Sequence, residues 1–146
     1  YFASGDQHFD HNTRQDHVVP HAHSDLLYKG ALYDKAHTVF RGLIKVHPKA
    51  QRTDAYQTNR NLLLSPEARA ESLPNLEIEA DDVRCSHGAT VGHLEEEELF
   101  YLMSRGMPRR VAEHLVIFGF FGEVLERLPL PGVVEELRAA IEARIQ

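Results

Sequence analysis

Ala22-His23 returns as Ala36-His37 fourteen residues on, and fourteen more lead to Ala50-Gln51. In the same register Leu27-Tyr28-Lys29-Gly30 is followed by Arg41-Gly42-Leu43-Ile44, and Leu32 by Val46. The unit then stretches, with Ala68 eighteen residues beyond Ala50 and Cys85 seventeen beyond Ala68. A repeat this short holds one strand and a corner and no helix, and its simplest solution is a β-solenoid with one coil per repeat, each coil touching only its neighbours. The loose spacing also admits a jelly roll or cupin-like barrel. From Asp16 to about Val83, the runs HVVPHA, DLLYKGAL, TVFRGLIKV and NLLLS read as strands between polar or glycine-bearing corners. The run Gln57-Thr58-Asn59-Arg60-Asn61 reads as one of those corners, its amides bonding to backbone or to each other.

The pattern changes after Gly92. Residues 95–105, EEEELFYLMSR, place acids in a first turn and an arginine in a last turn, which complements a helix dipole, and Gly106 supplies the stop. Pro108 can open a second helix, in which Val111, Leu115, Phe118, Phe121 and Leu125 recur at three- and four-residue steps up to Leu128, before Pro129. Val133, Val134, Leu137, Ala140, Ile141 and Ile145 mark a third. The predicted organisation is therefore a mainly β domain over residues 1–92 and a small helical domain over 93–146.

With 42% hydrophobic and 26% charged residues, the chain is too apolar to be disordered and long enough to bury a core. A formal charge of -6 without clustered Lys and Arg argues against a phosphate backbone, so nucleic acid is not an expected partner. No basic-then-apolar leader and no eighteen-residue apolar run occurs, so neither secretion nor membrane insertion is expected. The start at Tyr1 rather than at a methionine reads as an internal cut in a longer protein. A single cysteine cannot form an internal disulfide and fits a reducing compartment, here the cytoplasm.

Ten histidines, six of them within the first 37 residues, raise the question of metal binding. His21 and His23 alternate as residues on one strand face do, and with His17 they would make a cupin-like metalloenzyme site. Against this, a catalytic metal needs a third ligand and a supporting shell, and alternation comes with any strand. Cys85 and His87 are also two apart and project to the same side of an extended segment. Thiolate and imidazole suit zinc, iron or copper, but two ligands are not a site; a buried thiol beside a hydrogen-bonded imidazole is the structural reading. If chemistry occurs there, further ligands must come from elsewhere, most simply another chain. No oxyanion arrangement supports a Cys-His nucleophile. Gly88 and Gly92 match neither phosphate-binding glycine pattern, and the run Glu95 to Glu98 would repel a phosphate.

The longer strings carry a resemblance. DLLYKGAL (25–32), FRGLIKVHPKAQRTDAYQTNRNLLLS (40–65), PNLEIEADDVRCSHGATVG (74–92) and EEEELFYLMSRG (95–106) resemble the SufB/SufD family of iron–sulfur cluster assembly scaffold proteins, on its SufD side. The likeness runs from about His11 to about Leu128 and would make the chain the C-terminal portion of such a protein. It implies a right-handed parallel β-helix followed by a helical domain, in agreement with the solenoid reading.

The resemblance further implies a non-enzymatic subunit that pairs with SufB through its last β-coils and docks the ATPase SufC, which hydrolyses the ATP. Motion of SufC would pass through the helical domain into the β-helix. Docking would fall on residues 94–106 and the helix that follows, with Glu96, Leu99, Phe100, Tyr101 and Arg105 as the named contacts. The histidine of the CSHG string, His87, would be the metal-ligating residue of cluster assembly at the SufB interface, with Cys85 beside it. No stably bound cofactor is implied, only a transient iron–sulfur cluster at the subunit interface, and an isolated copy would self-associate through the same surface.

Overall fold

The computed structural model describes residues 1–145. The chain forms two compact units, a strand unit from Ala3 to Gly92 and a helical unit from His93 onward. In the strand unit, a short β1 (Phe2–Ala3) precedes six ten-residue strands: β2 (His8–His17), β3 (His23–Leu32), β4 (His37–Val46), β5 (Asp54–Leu63), β6 (Arg69–Ile78) and β7 (Arg84–His93). They form two parallel sheets, ordered β1-β3-β5-β7 and β2-β4-β6. The chain alternates between sheets strand by strand, which is a parallel β-solenoid of about three turns.

The pairing register sets the coil length. His8 lies opposite His37, His23 opposite Asp54 and His37 opposite Arg69, offsets of 29, 31 and 32 residues. The fourteen-residue repeat is therefore half a coil, one strand with its corner, and two repeats make each turn rather than one. The reason is closure. A coil must bury its inward side chains against a facing strand, so at least two strands are needed before the chain returns to its own sheet.

Corners and strands also fall differently from the sequence expectation in two places. In HVVPHA only His17 belongs to a strand, and Val18 to Ala22 form the corner between β2 and β3, with Val18 and Val19 exposed. The Gln57 to Asn61 run is not a corner but the middle of β5, and Gln57, Thr58, Asn59 and Asn61 are all buried. Burial within the stack overrides the turn preference of Asn, because each side-chain amide finds at least one partner inside, although Gln57 Oε1 and Asn59 Nδ2 stay without one.

The interior has apolar rims and a polar middle. Ile44, Val46, Ala50, Ala55 and Ala80 cluster at one side, with Leu76, Val83 and Cys85 packed on them. Ala3, Leu32, Ala36 and Ala68 cluster at the other, joined by Phe9, Leu63 and Ala70. The alanines of the repeat, Ala36, Ala50 and Ala68, are thus buried corner residues, small because the chain bends there. Between the rims, Asn61 Nδ2 donates to Asn59 Oδ1 at 2.8 Å, and in the columns of Ile44 and Ala55, one coil below them, Gln15 Nε2 donates to Ser24 Oγ at 2.6 Å.

Successive coils are tied through the corners and across the outer surface. His47 N–H donates to the His17 carbonyl, Arg69 N–H to that of Ala36 and Arg84 N–H to that of Thr53, so backbone pairing continues beyond the strands. Outside, Arg41 pairs with Asp10, Lys45 with Glu77, Lys35 with Glu67 and His47 with Asp16, each about one coil apart in sequence. Exposed pairs contribute about 0–1 kcal/mol each, and their larger effect is to favour one stacking register over a slipped one.

The helical unit consists of α1 (Glu96–Ser104), α2 (Arg109–Glu126) and α3 (Pro131–Glu142). Helix α1 has acids at Glu96, Glu97 and Glu98 in its first turn, while Arg105 is its C-cap rather than a last-turn residue. Gly106, at φ 89°, ends it in the left-handed region that glycine adopts freely. Leu99 is buried, and Arg109 at the start of α2 donates to both carboxylate oxygens of Glu96, at 2.7 and 3.1 Å. No helix among the described residues is long and apolar enough to cross a membrane.

Two measurements check this account. His21 holds φ 59° at an exposed corner. A left-handed non-glycine residue costs roughly 1–2 kcal/mol, and glycine returns about 0.5–1 of that through the flexibility of the unfolded chain. His21→Gly should therefore stabilise the fold slightly, by about 0.5 kcal/mol, read as a raised urea midpoint; a lowered midpoint contradicts the account. The His47 bond, with help from Arg14, holds the Asp16 carboxyl below its ordinary range. Such a depressed group contributes stability above the unfolded carboxylate value and loses it as pH falls through its lower folded value. Asp16→Asn should thus destabilise at neutral pH and leave stability unchanged well below about pH 3, as followed by thermal melts across that range.

Candidate functional site at the terminal coil

Strand β7 closes the first sheet and β6 closes the second, so each has a ladder neighbour on one side only and presents unpaired N–H and C=O groups on the other. The CSHG string lies on β7. Arg84 N–H donates to the Thr53 carbonyl at 2.8 Å, just as Asp54 N–H donates to Ala22 one coil below. That pattern sets Arg84 opposite Asp54, and from there Cys85 opposite Ala55 and His87 opposite Gln57.

Cys85 is half-buried and packs against the apolar rim of Ile44, Val46, Ala50, Ala55 and Ala80, so its side of β7 is the inward one. His87, two residues on, takes the same side. Its column reads Leu26, Gln57, His87 through the three coils. Because no further coil covers β7, His87 is exposed although it faces inward, and its imidazole makes no hydrogen bond or ion pair with the other described residues. Desolvation pushes the Cys85 thiol above its ordinary value; a bond to the Ala55 backbone partly offsets this, and Asp54 adds to it. The thiol behaves as packing, and the imidazole is the free donor.

The remaining residues singled out in the sequence fall in three places. His17 is buried at the end of β2, its Nε2 2.9 Å from Ser24 Oγ; His21 sits in the corner; His23 begins β3 and is exposed, 3.8 Å from Asp54. They do not share a strand, so the alternation that suggested a cupin-like site is interrupted by a corner. Among the described residues no group of three His, Cys, Asp or Glu is placed to hold a metal ion. In the helical unit, Phe100 and Tyr101 are 73% and 57% exposed, and Arg105 lies over the Tyr101 ring at 4.9 Å while donating to its hydroxyl. Glu96 is engaged by Arg109, and Leu99, 1% exposed, holds α1 in place from within rather than offering a contact. Of the five named docking residues, the open surface is carried by Phe100, Tyr101 and Arg105, beside a crevice lined by Glu97, Glu98 and Val116.

The sequence reading also missed that Gln57 lies buried in β5 in register with His87. A period-two signal was present, since Gln57, Asn59 and Asn61 alternate as strand residues do, but their polarity pointed to a turn. The contrast between thiol and imidazole is measurable by mass spectrometry of the peptide carrying Cys85. Its alkylation should be slow at neutral pH and accelerate only above about pH 9; half-maximal rate below about pH 8 would show a reactive thiolate instead.

Comparison with known proteins agrees with this geometry. Residues 1–120 match the family described as "SUF system FeS cluster assembly, SufBD core domain", a span that includes the solenoid, α1 and most of α2. A SufBD family iron–sulfur cluster assembly protein of Mycobacterium leprae is 44% identical over 97% of this chain and 38% of its own length. The iron–sulfur cluster assembly proteins SufD of Escherichia coli and of Bacillus subtilis are 41% and 37% identical over 93% and 97% of this chain, and 32% of their own length in each case. The chain thus spans under two-fifths of the curated relatives it matches. With a family model over most of its residues and the solenoid that the resemblance implied, the chain belongs to the SufBD family of iron–sulfur cluster assembly proteins.

Proposed function

We propose that the chain is the C-terminal part of a SufD-type scaffold subunit, whose terminal coil pairs with SufB and whose helical unit docks the ATPase SufC. Supporting this reading are an uncovered β7 edge and apolar groups left open on the last coil, with Leu73, Ile78 and Val91 each about two-fifths or more exposed. An edge strand of this kind is completed by another chain, and the same surface would carry self-association of an isolated copy. On α1, Phe100 and Tyr101 form the aromatic face and Arg105 the cationic flank that a partner would contact.

The observation that carries the functional reading is His87. It is an exposed imidazole at the open end of an inward column, placed where a second chain would close over it, and Cys85 beside it is occupied with packing. A neutral imidazole is a competent iron ligand. One ligand from this chain holds a cluster only together with ligands from the other, so the cluster is cargo in transit and not a resident cofactor. The subunit itself is non-catalytic in this reading, and ATP hydrolysis belongs to the docked ATPase.

Replacing His87 by Ala in the full-length protein tests the reading. The complex should still assemble, because an exposed side chain contributes little to folding, while iron–sulfur cluster assembly in cells should fall to background. Normal assembly with an intact complex would overturn the role of His87.

A further inference from the structure

We infer that Gln57 is a positioning residue for His87, acting through the strand that carries it; the inference rests on the reading of His87 given above. Strand β7 has one ladder neighbour, β5, so the place of His87 depends on how firmly β5 is held. Gln57 is the β5 residue in register with His87 and is 0% exposed. Its Nε2 donates across the interior to the Gly42 carbonyl of β4 at 3.4 Å and to the Asn75 carbonyl of β6 at 3.2 Å. One amide thereby ties β5 to two successive strands of the opposite sheet, at the level directly beneath His87.

Gly42 is what lets the amide reach. A Cβ on Gly42 would stand 2.2 Å from Gln57 Oε1 and 2.8 Å from the Phe40 ring, so no other residue leaves the space that Gln57 occupies. An apolar side chain would fill the same volume without the cost of burying an amide, and it would leave the two sheets free to shift against each other at this level. Ligand geometry tolerates displacements of only about half an ångström, so an untied β5 would let the imidazole wander out of place. The glycine–glutamine pair accordingly works as a strut under the ligand, while the imidazole itself has no hydrogen-bond or ion-pair partner among the described residues.

The test uses the full-length protein in its assembled complex, with iron–sulfur cluster reconstituted on it. Gln57→Met keeps the volume and removes both cross-interior bonds. Thr53→Val, which removes the buried bond from Thr53 Oγ1 to the Ala50 carbonyl at the start of the same coil, serves as a control for lost stability alone. Gln57→Met should lower cluster yield about tenfold, as loss of a supporting partner does at metal sites, and weaken the imidazole-nitrogen signal in pulsed electron paramagnetic resonance of the reduced cluster. Thr53→Val should change neither at a comparable thermal midpoint. If Gln57→Met does not fold, Gly42→Ala displaces the amide from the other side and should give the same pair of losses. Unchanged yield and nitrogen signal in Gln57→Met or Gly42→Ala, or equal losses in Thr53→Val, while His87→Ala abolishes both readouts, overturns the positioning role and leaves the proposed function standing. Full cluster yield in His87→Ala overturns both.

Discussion

Backbone pairing between coils is the constraint on which the rest of this structure depends. Each strand from β2 to β7 pairs its backbone with the strand one coil below or above, with offsets of 29 to 32 residues between partners, and the end strands keep one row of N–H and C=O groups unpaired. Pairing at that distance makes columns of residues that stack through three coils, and each position is judged by the column it joins. Where the column is apolar the residue is Ile44, Val46 or Leu32; where the chain bends it is Ala36, Ala50 or Ala68. A corner that failed to repeat at this spacing would leave a row of buried backbone groups without partners, which costs more than any single side-chain contact supplies.

The same constraint explains why the interior tolerates polarity. A solenoid has a narrow lumen with two facing sheets, and while Asn61 bonds to Asn59 along its own strand, Gln15 and Gln57 reach partners on the opposite wall. Each such bond is specific to one register, since a slip of one residue turns the amide outward. Apolar rims supply the bulk of the burial and the polar middle discriminates among stackings.

Stacking must stop somewhere, and the last coil inherits every feature of an interior coil without its cover. Cys85 still finds the rim and behaves as packing, whereas His87 continues the Leu26 and Gln57 column into the open. The position of this histidine is therefore a product of two things, an inward orientation inherited from the strand and an exposure imposed by the end of the stack. A partner that continues the sheet would return such a residue to an interior, now shared between chains, which is the setting that a jointly held cluster requires.

How much was legible beforehand follows from the range of each signal. The fourteen-residue recurrence of Ala-His, the change of pattern after Gly92 and the three helical spacings are local, and they sufficed for a solenoid followed by helices. The strings around CSHG carried the family. Beyond local reach lay the pairing of two repeats into one coil, the burial of Gln57 to Asn61 within β5 and the separation of His17, His21 and His23 by a corner. Leu99 likewise matched its neighbours Phe100 and Tyr101 in the string, yet it faces inward. Periodicity and residue type, which the chain carries in itself, determined which segments would be strand, corner or helix. Only the tertiary structure decided which residues 30 positions apart would share a column, because that depends on where the coil closes, and with it that an amide and a glycine would brace the strand beneath His87.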